Sequence, residues 1–211
     1  HKRSDPCRTL LHTALRAGIT NKANTAYINK TNASTVNKRL YPPPPPPRPS
    51  LSALSIGPGK RARLWRLLYG SGPANGTLLV LPLDQGLEHG PTDFLPNPAA
   101  LDTDFQCRLA LEGRYSAIAL GVGLAEKYLR EYSGRVPLIL KLNGKTSIPD
   151  DGDAESPLLA RVEDAVRLGA DAVGYTRYVG TPRRDDELRR AGRLRQDIER
   201  TGLPSAEGYS P

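Results

Sequence analysis

The sequence predicts an α/β fold of the (β/α)8 TIM-barrel type, reduced to about four β/α units and preceded by a disordered N-terminal segment. Three observations carry that prediction. From Gly57 onward, short continuous apolar runs alternate with stretches of helical periodicity, at a spacing close to 30 residues per unit. The runs lack the every-second-residue polarity of a half-exposed strand and so suit strands covered on both faces of a parallel sheet. Each run ends in polar residues or glycine (Asp84, Gly121, Lys141 with Asn143, Thr176). Regular alternation implies right-handed crossovers, in a doubly wound sheet or a barrel, and polar strand ends favour the barrel, where they converge on one site.

Composition divides the chain at residue 56. Residues 1–56 hold nine Lys or Arg and Asp5 as the one acid, so the whole formal charge of +8 belongs to them. Residues 57–211 are electrically balanced, which leaves no basic groove for nucleic acid in the predicted barrel. Residues 1–40 are rich in Lys, Asn, Thr and Ala and poor in large apolar side chains. They cannot bury enough surface to offset the entropy of ordering, although a basic, hydroxyl-rich composition also suits an organellar transit peptide. Pro42 to Pro47, followed by Arg48 and Pro49, form a stiff polyproline II rod, read first as a linker and second as a ligand for an SH3 or WW groove. Cys7 and Cys107 match no disulfide or zinc spacing, and a reducing, cytoplasmic setting is the default. No apolar run approaches the roughly 18 residues of a membrane span.

The elements follow in order. Leu64, Trp65, Leu67 and Leu68 form a helical stripe within Lys60 to Tyr69, and the Gly70 to Gly76 segment breaks it. A first strand, Leu78 to Leu83, delivers Asp84. A helix is expected within Asn97 to Gly113, where Pro98 and Asp102 supply starting chemistry, followed by a strand from Ser116 to Gly121. Leu124 to Tyr132 reads as a short helix, Val136 to Leu142 as the third strand, and Pro157 to Leu168 as a helix. The fourth strand is Asp171 to Thr176, and Asp185 to Thr201 is the last helix, with Leu188, Ala191, Leu194 and Ile198 on one face.

The strand ends supply the candidate chemistry. Asp84, at a strand terminus, suits a general acid or base. Lys141 lies among Ile139, Leu140 and Leu142, where burial is costly without a partner. Facing inward, it would meet a carboxylate such as Asp84, in a catalytic or a structural pair. Glu88 and His89 either bind substrate or cap the next segment, and Lys145 in its Gly-Lys-Thr loop attracts phosphate. The glycine patterns at 121–123 and 144–145 are too short for phosphate-loop motifs.

The segments LPLDQGLEHGP (81–91), GLAEKY (123–128), PLILKLNGKTSIP (137–149) and ADAVGYTRYVG (170–180) resemble, in this order and spacing, the archaeal-type class I fructose-1,6-bisphosphate aldolases. That resemblance implies a (β/α)8 barrel that reversibly cleaves fructose 1,6-bisphosphate to dihydroxyacetone phosphate and glyceraldehyde 3-phosphate. The cleavage runs through a lysine Schiff base, with no metal or other cofactor. It implies an acid–base role for Asp84, and it matches Lys141 to the family's active-site lysine on strand 3. A related Schiff-base aldolase acting on another phosphorylated sugar is the alternative. A third reading is a non-catalytic interaction protein using the basic, proline-rich arm.

In the family a fifth strand runs into a W-S-Y-P-R-G motif whose tyrosine donates a proton. Here LPSAEGYSP places Gly208 and Ser210 at the tryptophan and tyrosine positions, and no fifth strand is expected from Ser205, Ala206 and Glu207. The family's strand-6 Schiff-base lysine and its later phosphate loops fall beyond Pro211. The expectation is therefore the N-terminal half of such a barrel, inactive alone and inclined to self-associate through its open edges.

Overall fold

The computed structural model describes residues 50–84, 86–88, 90–146, 148, 151–178 and 180–210, all within the compact unit Pro49–Pro211. The expectations for residues 1–49 and for His89 lie outside the described residues.

Five parallel strands form a half-barrel in the order of the chain. They are β1 (Val80–Pro82), β2 (Ala117–Gly121), β3 (Leu138–Lys141), β4 (Ala172–Tyr178) and β5 (Ser205–Ser210), each paired with the next. Helices α1 (Pro58–Trp65), α2 (Thr103–Glu112), α3 (Val122–Tyr128), α4 (Val162–Arg167) and α5 (Arg184–Thr201) complete the main elements. Strand alternation divides the side chains into two clusters. Ile118, Leu120, Leu138, Leu140, Leu142, Val173 and Tyr175 pack with Cys107, Ala110, Ala125, Ala165, Leu194 and Ile198 of the helices. Ala117, Ala119, Ile139 and Ala172, with Val80, form the other face. That face is the concave interior, and small side chains let the curved sheet close around it.

The interior has a floor. Gly57 and Pro58 start α1 with the N-terminal proline that a helix tolerates. The helix then widens into a π turn, Arg66–Gly70, which buries Leu67 among the interior residues. Lys60 meets Glu199 at 2.7 Å, Arg63 Nη1 donates to the Gly202 carbonyl at 3.3 Å, and Arg66 pairs with Asp171 at 2.5 Å. Leu67 is the residue of the expected Leu64–Leu68 stripe that is buried. Trp65 remains 55 % exposed.

Four local expectations are corrected. The first strand is three residues long and stands at the sheet edge. Leu78 and Leu79 precede it and are exposed, so they are not covered on both faces. The helix expected from Pro157 begins at Val162, because the Leu142 carbonyl accepts from Leu159 N (2.8 Å) and Ala160 N (3.1 Å) and keeps residues 157–160 extended. Asp164 then accepts from Arg161 N at 2.9 Å and caps the short helix. The helix expected within Asn97 to Gly113 is divided: a 3-10 turn, Pro98–Leu101, stops at Asp102, whose side chain caps α2 through Asp104 N at 3.0 Å.

The fourth correction is β5. Despite its polar sequence it pairs with β4 over six positions, from Val173↔Ser205 to Tyr178↔Ser210. An edge strand is held by its backbone ladder and needs little apolar surface of its own. Gly202, with φ of +66°, ends α5 in the left-handed conformation that turns the chain toward β5. No helix among the described residues is long and apolar enough to cross a membrane.

Candidate functional site at the carboxyl ends of the strands

Asp84 follows β1 by two residues, and Lys141 ends β3, on the interior side shared with Ile139. Lys141 Nζ donates to Asp84 Oδ1 as an ion pair, with the lysine side chain 12 % exposed and the carboxylate 27 %. The expected pairing of these two residues is therefore present, on a rim where both remain reachable from solvent.

The two groups line a cleft of about 380 Å³ with Leu83, Leu87, Leu159 and Asn143. Apolar walls around one ion pair suit a small ligand with a few polar handles. Leu87 is set by a turn in which its amide (3.2 Å) and that of Glu88 (3.1 Å) donate to the Asp84 carbonyl. Gly144 is buried beneath it. A Cβ there would stand 2.6 Å from Leu87 Cδ2 and 3.0 Å from Leu159 Cδ1, so the absence of a side chain lets both leucines approach the backbone at this wall of the cleft.

Glu88 accepts a hydrogen bond from the Tyr178 hydroxyl, joining the loop after β1 to the top of β4. Lys145 is buried, with Nζ 5.6 Å from the centroid of the Tyr178 ring, within range of a cation–π contact. The structure thus brings Asp84 to Lys141, and brings Glu88 and Lys145 to Tyr178. His89 lies outside the described residues. Tyr178 does not stand out in the sequence. Its signal is faint: it lies two residues beyond Thr176, and on a strand such positions share a face.

In the sequence Asn143 is only part of a polar strand end, yet its side chain is fully engaged. Nδ2 donates to the carbonyls of Thr176 (2.7 Å) and Ser156 (3.3 Å), and Oδ1 accepts from Thr176 N (2.9 Å). Two further hollows, of about 430 Å³ beside α5 and about 490 Å³ beneath Trp65 and Arg66, do not include the strand-end residues. Among the described residues no group of three His, Cys, Asp or Glu side chains could hold a metal ion.

The model of the DeoC/LacD family of aldolases matches residues 78–206. The class 1 fructose-bisphosphate aldolase of Thermoproteus tenax is 42 % identical over 129 residues, covering 61 % of this chain and 48 % of the relative. The probable class 1 fructose-bisphosphate aldolase of Chlamydia muridarum is 36 % identical over 115 residues, covering 54 % and 33 %. An archaeal fructose-1,6-bisphosphate aldolase, solved with its catalytic lysine bound to the carbinolamine intermediate of the substrate, superposes with a TM-score of 0.61 at 38 % identity. That match covers 68 % of this chain and 56 % of the other. The chain spans about half the length, or less, of the curated relatives it matches.

Proposed function

The chain belongs to the DeoC/LacD aldolase family, and on that premise we propose that it carries the acid–base half of a class I fructose-1,6-bisphosphate aldolase site. The observation that supports this reading is the Asp84–Lys141 ion pair inside the strand-end cleft.

The aldol reaction needs a group that takes a proton from the hydroxyl being converted to a carbonyl and returns it in the reverse direction. Asp84 has that role. Lys141 holds the carboxylate in one orientation, and the apolar walls formed by Leu83, Leu87 and Leu159 limit competing water. Glu88 and Lys145 contact the substrate beyond the reacting carbons, Lys145 through a phosphate group, with His89 as a further contact. The imine-forming amine is neither Lys141, which is committed to Asp84, nor Lys145.

The test is borohydride trapping with dihydroxyacetone phosphate, read by mass spectrometry. The 211 residues alone are expected to give no adduct. An adduct on Lys141 or Lys145 would overturn the division of roles. In a protein extended to the length of the relatives, adduct formation with Asp84→Asn abolishing cleavage supports the assignment; undiminished cleavage by that variant refutes it.

A further inference from the structure

We infer that Asn143 is a positioning residue for the Asp84–Lys141 pair, acting as the closing link of a largely buried hydrogen-bonded ring that ties β3, β4 and α5 together beneath the cleft, with Arg190 as its partly exposed member. The inference deepens the aldolase reading and rests on it for the purpose of the ring.

The regular β3–β4 ladder ends at Lys141↔Gly174, and its last backbone bond runs from Leu142 N to the Gly174 carbonyl at 2.9 Å. Beyond that point β3 turns away, and the backbone of Asn143 pairs with Leu158 instead. The N–H and C=O of Thr176 would then be left without a partner on β3, at a cost of about 1–3 kcal/mol for each unmet group. The Asn143 side chain replaces the missing strand. One side-chain amide bonds both the N–H and the C=O of Thr176, the two bonds a neighbouring strand would supply from separate peptides, and its second N–H reaches Ser156. The residue is 1 % exposed and lines the same cleft as Lys141.

The ring continues from there. The Ser156 carbonyl also accepts from Arg190 Nη1 at 3.3 Å. Arg190 meets Glu187 Oε1 at 3.2 Å, and Glu187 Oε2 accepts from the Tyr175 hydroxyl at 2.9 Å. Glu187 is 2 % exposed, and burial together with that bond raises the Tyr175 hydroxyl well above its ordinary range, so the proton stays on the tyrosine. Tyr175 precedes Thr176 on β4, which closes the circuit back to Asn143. Removal of Asn143 leaves the N–H and C=O of Thr176 unmet, and removal of the Tyr175 hydroxyl takes a partner from buried Glu187, so the ring holds the tops of β3 and β4 at a fixed separation. Lys141 is two residues from Asn143 on β3 and takes its position from that spacing.

Hydrogen exchange and amine labelling test the inference without turnover, so the outcome is independent of the borohydride result. In the unaltered chain the Thr176 amide should exchange as slowly as that of Val173, whose N–H donates to the Pro204 carbonyl at 3.1 Å. Asn143→Ala should accelerate Thr176 exchange, and acylation of Lys141 by a small N-hydroxysuccinimide ester, by about tenfold each. Exposed Lys127 should label at an unchanged rate and buried Cys107 should stay unreactive. Tyr175→Phe breaks the ring on the far side of the sheet, and should shift both readouts in the same direction by about threefold. Rapid Thr176 exchange in the unaltered chain, or an unchanged Lys141 labelling rate in either folded variant, would overturn the inference.

Discussion

Lys141 and Asp84 meet across the interior of the half-barrel although they lie 57 positions apart in the chain. β2 lies between the strands that carry them, and the pair spans it because the interior residue of β2 at that level is Gly121, opposite Lys141 in the register. Removing one partner leaves the other charge partly buried, which costs about 1–3 kcal/mol. Lys141→Met should therefore lower unfolding stability in urea by that amount, and Lys141→Met combined with Asp84→Asn should recover part of it. Fully additive losses would show that the two side chains are not coupled.

Two glycines with positive φ should respond differently to alanine. At Gly72 (φ +63°) a Cβ would stand 2.6 Å from Ser116 N, a backbone atom that cannot swing away. At Gly134 (φ +77°) nothing lies within 4 Å. Gly134→Ala should cost about 1 kcal/mol, the strain of the left-handed backbone alone. Gly72→Ala should cost more than about 2 kcal/mol, since it adds a steric clash to that strain. Equal midpoints in chemical denaturation would contradict this.

Alkaline pH should weaken the fold through α2. Burial, and then the charges of Asp104 and Asp102, push the Cys107 thiol up to about 11 from 9.0. The hydrogen bond to Asp104, and then burial, push the Tyr132 hydroxyl up to about 12 from 10.0. Both groups hold their protons more tightly when folded, so their contribution is complete below pH 9 and is lost as pH rises through 11 to 12. With Cys7→Ser as background, Cys107 alkylation should remain blocked at pH 8 and become rapid in step with unfolding at high pH. Free alkylation at pH 8 would refute the burial. At acid pH the opposite rule applies to Asp164: its bond from the Arg161 amide lowers its pKa, so the cap is lost as pH falls through the folded value.

The edge strand offers a local test. Arg177 pairs with Glu207 across β4 and β5, and its guanidinium lies 5.2 Å from the Tyr209 ring centroid. Glu207→Lys sets two cations together, which should speed amide exchange in β5 by about tenfold and leave β2 and β3 protected. Uniform acceleration throughout the sheet would mean that β5 opens only with the whole fold.

The inner strands were the legible part of this sequence. β2, β3 and β4 are written as runs such as Ala117 to Leu120 and Leu138 to Leu140, whose burial on both faces leaves no polar alternation to confuse them. Residues 157–161 mislead because Leu158, Leu159 and Val162 keep helical spacing while two backbone bonds to Leu142 hold the segment extended. β5 is not legible because its pairing is supplied by β4, and a tertiary partner leaves no trace in Ser205 to Ser210 themselves. The Asp84–Lys141 pairing could be anticipated because an inward lysine needs a carboxylate. The ring through Asn143 could not, since its members lie on four separate segments and no local pattern links them.

The sequential strand order has a kinetic consequence. Every strand bonds to the one made just before it, so each pairing closes a loop of only a few tens of residues, at modest entropic cost. The first strand pair can form as soon as β2 has left the ribosome, and each later unit adds to a sheet already standing, so assembly can follow the direction of synthesis.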